Sequence, residues 1–127
     1  MGKLAGKVAV VVGGGGGIAS GMTLALAKEG ADIAVVERVA EKGEAVAREV
    51  EKTGVRVLAI ECDITDRAQV DAAVTQIIAE LGKIDVLVNN ATGVTIATSN
   101  LPFIEHTESD FDRIFAVDVK GTVHFMQ

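Results

Sequence analysis

The feature that most constrains this chain is a run of five glycines placed directly after a hydrophobic segment. Residues 8–12 are four valines and an alanine, Gly13–Gly17 follow, and an amphipathic segment occupies residues 20–29. The pattern predicts a strand, a tight turn and a helix that begins at the turn. Such a turn lets an anion approach main-chain N–H groups at the positive end of the helix. A flexible loop without a ligand has the same composition, so the run alone leaves both interpretations open.

A second apolar run, residues 32–37, ends in an acidic side chain. Glu37 lies 20 residues beyond Gly17, which matches the distance of roughly 20 residues in the dinucleotide-binding fingerprint. A carboxylate at that place accepts hydrogen bonds from the ribose hydroxyls of an adenosine. A surface glutamate can also end a strand for no functional reason. However, the ordered combination of strand, glycine turn, helix, strand and acid predicts a dinucleotide site.

Strands and helices alternate along the chain. We predict strands at residues 7–12, 32–37, 55–61 and 84–89, and helices at 20–29, 40–53, 66–82 and from 108 onwards. The strands are nearly continuous apolar runs, which are typical of a parallel sheet covered on both faces. Asp66 and Gly82 are predicted to cap and end the third helix. The expected fold class is α/β, a doubly wound, Rossmann-like parallel sheet with strand order 3-2-1-4.

The end of the chain has a different character. Residues 90–107 are expected to be irregular, and Thr107 is expected to cap a final helix that runs to Gln127 without a stop signal. We therefore expect residues 1–127 to be a single NAD(P)-binding domain, truncated within the helix after the fourth strand. The sheet would then be incomplete at the C-terminus, and its open edge would favour self-association.

Composition argues against several function classes. The net charge is −6 without a cluster of basic residues, so nucleic-acid binding is not expected. No apolar stretch is long enough for a membrane span. Cys62 is the only cysteine, which excludes an internal disulfide and favours a reducing, cytoplasmic compartment; we expect it to pack beneath the sheet edge. His106 and His124 have no cysteine near them, so no metal site is expected.

Five ordered motifs give the chain a close resemblance to the short-chain dehydrogenase/reductase family over essentially all of its length. These motifs are Leu4-Ala-Gly-Lys-Val8, Gly13-x-x-x-Gly17-Ile18-Ala19, Cys62-Asp63-Ile64-Thr65, Asn89-Asn90-Ala91 and Phe115-Ala-Val-Asp-Val-Lys-Gly121. The resemblance implies the N-terminal, cofactor-binding part of an NAD(P)-dependent oxidoreductase that acts on alcohol or carbonyl groups of a small molecule. It also implies a homo-oligomer.

The resemblance assigns cofactor contacts to one set of residues at the predicted strand ends. They are Gly13, Gly15, Gly16, Gly17, Ile18, Glu37, Arg38, Asp63, Ile64, Asn90 and Ala91. Asp63 is expected to accept a hydrogen bond from the adenine amino group, although Asp63 and Asn90 would also suit ordinary turns. We expect NAD rather than NADP, because Glu37 would repel a 2′-phosphate. Arg38 is the residue that could instead reach such a phosphate.

The chain departs from the family pattern at several positions. Val12 replaces a threonine, Thr92 replaces the glycine of Asn-Asn-Ala-Gly, and Asp118 stands at the position of the asparagine of the catalytic site. By the resemblance, catalysis also needs a serine and a Tyr-x-x-x-Lys motif, but the chain has no tyrosine. We therefore expect these 127 residues to be inactive alone. The alternative function is a non-catalytic dinucleotide-binding or interaction module.

Overall fold

The structure, a computed structural model, describes residues 2–127 and contains one four-stranded parallel sheet. Its strands are β1 (Val8–Val12), β2 (Asp32–Glu37), β3 (Val57–Glu61) and β4 (Val86–Asn89). Helices α1 (Gly17–Lys28), α2 (Ala40–Glu51) and α3 (Arg67–Leu81) connect them. The spatial order is β3-β2-β1-β4, and every pairing is parallel, so the predicted topology is confirmed.

The central strand β1 divides the core into two layers. Val8, Val10 and Val12 point to one face, where they pack with the buried side of α3. Ala9 points to the other face and joins the side chains that contact α1 and α2. All five residues of β1 are buried, which explains its unbroken apolar sequence. Because both faces are covered by helices, only the strand ends can form an open site.

Helix α3 follows the predicted pattern closely. The Asp66 carboxylate accepts hydrogen bonds from the N–H groups of Ala68 and Gln69 and caps the first turn. Gly82 ends the helix with a φ of 91°, a left-handed conformation that suits glycine. Between these caps, the buried positions lie three or four residues apart, at Val70, Ala73, Ile77 and Leu81.

The amino ends of the strands are closed by ion pairs. The Asp85 carboxylate accepts a hydrogen bond from Val8 N–H at 2.9 Å, which, together with Lys83, lowers the pKa of Asp85. Arg56 pairs with Asp32 at 2.7 Å and also donates to the last carbonyl groups of α3. This edge is therefore occupied by structural contacts, and the carboxyl ends of the strands remain open.

The segment after β4 is more ordered than the sequence predicts. The prediction of an irregular 90–107 is wrong in part, because a short helix α4 (Ile96–Ser99) and a 3₁₀ helix (Phe103–Glu105) lie within it. The hydroxyl groups of Thr95 and Thr98 form a reciprocal cap that stabilises α4.

The last helix begins as predicted, because Thr107 caps α5 (Glu108–Ile114). It is not one regular helix. A π-helical segment (Phe115–Gly121) separates α5 from α6 (Thr122–Met126). Within residues 2–127, no helix is both long enough and apolar enough to cross a membrane.

Two adjacent isoleucines of α3 provide a test of the core. Ile77 is fully buried, whereas Ile78 is 45% exposed. Replacing Ile77 with alanine should lower the free energy of unfolding by about 2–5 kcal/mol, because the cavity cannot collapse completely. Ile78→Ala is the matched control and should cost less than about 1 kcal/mol. Urea unfolding followed by circular dichroism measures both, and equal losses would contradict the assigned helix face.

Candidate functional site

A cleft of about 750 Å³ runs along the carboxyl ends of all four strands. Open α/β sheets bind ligands at this edge, where helices on the two faces leave a crevice. Glu37 and Arg38 line the cleft at the end of β2, and Asp63 lines it after β3. At the opposite end, the lining comes from the segment that follows β4, residues 90–95. The glycine turn after β1 lies between these two ends.

The glycine turn packs directly against other backbone. Gly13 has a φ of 73°, and its N–H donates to the carbonyl oxygen of Val36 at 2.8 Å. A Cβ at Gly13 would lie 2.7 Å from the Cα of Ala91. Asn90 N–H in turn donates to Val12 O at 2.9 Å. Glycine is therefore required at position 13 both for its conformation and for this close contact with the segment after β4.

The amino end of α1 opens into the cleft without a side-chain cap. Gly16 occupies the cap position, and the first turn contains no acidic residue. Gly16 and Gly17 line the cleft, and a Cβ at Gly17 would meet no atom within 4 Å. This space lies next to main-chain N–H groups that an α-helix leaves unpaired, at the positive end of its dipole. The turn therefore has room and donors for a phosphate group.

Glu37 is held at the cleft by main-chain donors. Its Oε2 accepts from Gly15 N–H at 3.0 Å, and its Oε1 accepts from Val39 N–H at 3.2 Å. Gly15 does not itself line the cleft. A Cβ there would lie 2.9 Å from Glu37 Oε2 and 2.7 Å from the Cβ of Lys42. Each carboxylate oxygen can accept a second hydrogen bond, so Glu37 is fixed in position and can still bind a ligand hydroxyl.

Asp63 is also fixed by donors from its own turn. Its Oδ1 accepts from Thr65 N–H at 2.9 Å and from Thr65 Oγ1 at 2.7 Å. These hydrogen bonds, with a smaller contribution from the charge of Arg38, lower the pKa of Asp63. Asp63 is therefore an ionised acceptor at neutral pH. Ile64 beside it packs against Gly121 of the π-helical segment, and its carbonyl accepts from His124 Nδ1 at 2.8 Å.

Cys62 lies beneath this edge, as the sequence predicts. Its side chain is 1% exposed and belongs to the core that packs against α3. Burial raises the pKa of the thiol to about 11, with a further contribution from the nearby carboxylates of Asp63 and Asp66. The group is a neutral thiol at physiological pH and has the character of a small apolar core side chain.

The segment after β4 is attached to the last helical region. Gly93 N–H donates to Asp118 Oδ1 at 2.6 Å, and Thr92 Oγ1 donates to Asp118 Oδ2 at 3.1 Å. Arg113 Nε donates to the Gly93 carbonyl oxygen at 2.9 Å. Asp118 therefore contacts the segment that lines the cleft without lining the cleft itself.

The structure brings the predicted site residues together. All but two of them line the cleft; Gly15 and Asp118 lie directly behind it. Their roles in binding stay predictions. Sequence reasoning missed Lys42 and Arg113, which also line the cleft. Lys42 lies in the first turn of α2, and Arg113 precedes Asp118 by five residues, so no strand-end pattern points to either.

Comparison with known proteins gives consistent results. The family model described as short chain dehydrogenase matches residues 7–127. The sorbitol dehydrogenase of Cereibacter sphaeroides is 37% identical over 125 residues, which cover 98% of this chain and 46% of that protein.

Solved structures of other proteins share this fold. NAD⁺-bound xylitol dehydrogenase has a TM-score of 0.89 and 33% identity, over 98% of this chain and 46% of that one. A metagenomic short-chain oxidoreductase in complex with NADP has a TM-score of 0.85 and 32% identity, over 97% of this chain and 54% of that one. The chain spans about half the length of the curated relatives it matches.

The buried thiol gives a direct test of the sheet edge. With a pKa of about 11, Cys62 should react with iodoacetamide at pH 8 at least about 100-fold more slowly in the folded chain than in urea, where the thiol is exposed and has an ordinary pKa. Mass spectrometry of quenched samples measures both rates. Similar rates in the two states would show that the thiol is accessible in the fold.

Proposed function

The chain belongs to the short-chain dehydrogenase family, and we propose that it forms the nicotinamide-dinucleotide-binding part of an oxidoreductase acting on alcohol or carbonyl groups. The observation that carries the proposal is the continuous cleft in which the uncapped amino end of α1 lies between an acid at the end of β2 and the segment after β4. That order corresponds to the order of groups in a dinucleotide: adenosine, pyrophosphate, second nucleoside.

Each part of the cleft has a proposed role. The turn at Gly16 and Gly17 receives the pyrophosphate, because it offers free space beside main-chain N–H donors. Glu37 accepts the adenosine ribose hydroxyls, and Asp63 accepts the adenine amino group while Ile64 supports the ring. Asn90 and Ala91 lie beside the ribose of the nicotinamide. When bound, the cofactor supplies or accepts the hydride, and these residues orient it.

We propose NAD as the preferred cofactor. The Glu37 carboxylate, held by Gly15 N–H, is placed where a 2′-phosphate would bring a second negative charge close to it. Arg38 and Lys42 also line this part of the cleft and would favour NADP. Glu37 is fixed by two main-chain hydrogen bonds, whereas the basic side chains are long and flexible, so we expect the carboxylate to dominate.

A single isosteric change tests this preference. Glu37→Gln removes the charge but keeps an oxygen that can accept from Gly15 N–H. The ratio of the NADP to the NAD dissociation constant should therefore fall by about tenfold, which is about 1.4 kcal/mol. Glu61→Gln is the control, since Glu61 is exposed and pairs in register with Glu37 at the end of β3. Titration calorimetry measures both cofactors, and an unchanged ratio would refute the assignment.

We also propose that these 127 residues bind the cofactor without catalysing a reaction. Family chemistry requires a tyrosine as general acid, and the sequence has none. Loss of acid–base assistance typically lowers a rate by about 10² to 10⁴.

A hydride-transfer assay with simple alcohols and ketones tests this expectation. The purified chain should show no turnover above the blank, although calorimetry detects cofactor binding. Steady-state turnover by the chain alone would contradict the proposal, and a longer polypeptide that includes the required residues is the positive control.

A further inference from the structure

A buried glycine after β4 has both of its main-chain polar groups bound by side chains of one helical region. Gly93 N–H donates to Asp118 Oδ1 at 2.6 Å, and Gly93 C=O accepts from Arg113 Nε at 2.9 Å. A Cβ at Gly93 would lie 2.9 Å from the main-chain oxygen of Arg113, so the loop backbone packs directly on the helix. The two side chains therefore hold the two peptide units that flank the Cα of Gly93.

The π-helical segment explains how two residues five positions apart reach the same glycine. In an α-helix, residues i and i+5 point about 140° apart, because each residue turns by about 100°. In a π-helix the hydrogen bonds join i and i+5, which brings those residues closer to one face of the helix. Phe115–Gly121 provides this register over most of the interval from Arg113 to Asp118.

The contact extends along the loop through Thr92. Its hydroxyl donates to Asp118 Oδ2 at 3.1 Å and accepts from Val94 N–H at 3.1 Å. Thr92 and Asp118 are two positions at which the sequence departs from the family pattern, and they are in direct contact. The hydroxyl at position 92 supplies a donor for the second carboxylate oxygen. The loop Thr92–Thr95 lines the cleft, so this network determines the shape of one end of the site.

We propose that Arg113 and Asp118 are positioning residues that clamp Gly93 and so hold the loop Thr92–Thr95 in the shape that contacts the nicotinamide half of the cofactor. The identity of the ligand rests on the proposed function. Glu37 marks the adenosine end, on the far side of the glycine turn. ADP would extend from that end only to the turn, whereas NAD would span the whole cleft. Loosening the clamp should therefore weaken the binding of NAD and leave the binding of ADP unchanged.

Calorimetry with NAD and ADP on clamp variants tests this proposal. Asp118→Ala and Arg113→Ala should each raise the dissociation constant of NAD about three- to tenfold, which corresponds to the loss of one hydrogen bond. The dissociation constant of ADP should change by less than about twofold. The double variant should bind NAD about as weakly as the weaker single variant, because both side chains hold the same residue, Gly93. Asp118→Asn keeps an acceptor for Gly93 N–H and should recover most of the affinity.

The matched control is Asp112→Ala, which removes an exposed carboxylate from α5 and should bind both ligands as the parent chain does. Thr92→Val removes the hydroxyl that donates to Asp118 Oδ2, at an exposed position. It tests the same network if an alanine variant does not fold. The clamp would be overturned by equal losses of affinity for NAD and ADP, or by fully additive losses in the double variant. It would also be overturned if Asp112→Ala bound NAD as weakly as Asp118→Ala.

Amide hydrogen exchange separates this proposal from the proposed function. In the ligand-free chain, Gly93 N–H should exchange faster in Asp118→Ala than in the parent, which supports the clamp even if the parent binds no NAD. Unchanged exchange at Gly93 would overturn it. Failure of the parent chain to bind NAD, with faster exchange in the variant, would instead count against the proposed function alone.

Discussion

The site is built around the close contact between the glycine turn and the backbone after β4. Gly13 lies against Ala91, and Asn90 N–H continues the pairing of β4 with β1. A side chain at position 13 would force these segments apart, because its Cβ would lie 2.7 Å from the Cα of Ala91. The contact brings the amino end of α1 and the loop after β4 to opposite sides of one crevice, so a single ligand can touch both.

The carboxylates at the amino ends and at the carboxyl ends of the strands are stabilised in different ways. At the amino ends, Asp32 and Asp85 accept main-chain N–H groups and also pair with cationic side chains. At the carboxyl ends, Glu37 and Asp63 are held by N–H and hydroxyl donors of neighbouring turns. Such donors fix a carboxylate without neutralising its charge. The cleft edge therefore keeps oriented negative groups next to a helix amino end, an arrangement suited to a ligand that has hydroxyl, amino and phosphate groups.

Most of the fold and much of the site could be predicted from the sequence, because their signals are local. Continuous apolar runs favour buried strands, the five glycines permit a tight turn, and Asp66 and Gly82 mark the two ends of α3. The π-helical segment could not be predicted, because its register depends on contacts that Asp118 and Gly121 make with distant residues. Arg113 was missed for the same reason. Its place in the cleft follows from a carbonyl 20 positions earlier rather than from any nearby pattern.

The long stretch of sequence between β1 and its neighbour β4 affects how the sheet can form while the protein is being made. β1 is central, yet its neighbour β4 follows almost 80 residues later; the Val8–Asp85 contact spans 77 positions. On the ribosome, β1 and β2 emerge early, and the connecting helix α1 lets them pair. The other edge of β1 stays open until β4 has left the exit tunnel. A strand of four valines and one alanine whose edge stays exposed for that period can pair with the wrong strand. Synthesis therefore passes through an interval in which chaperone binding to β1 would be most useful.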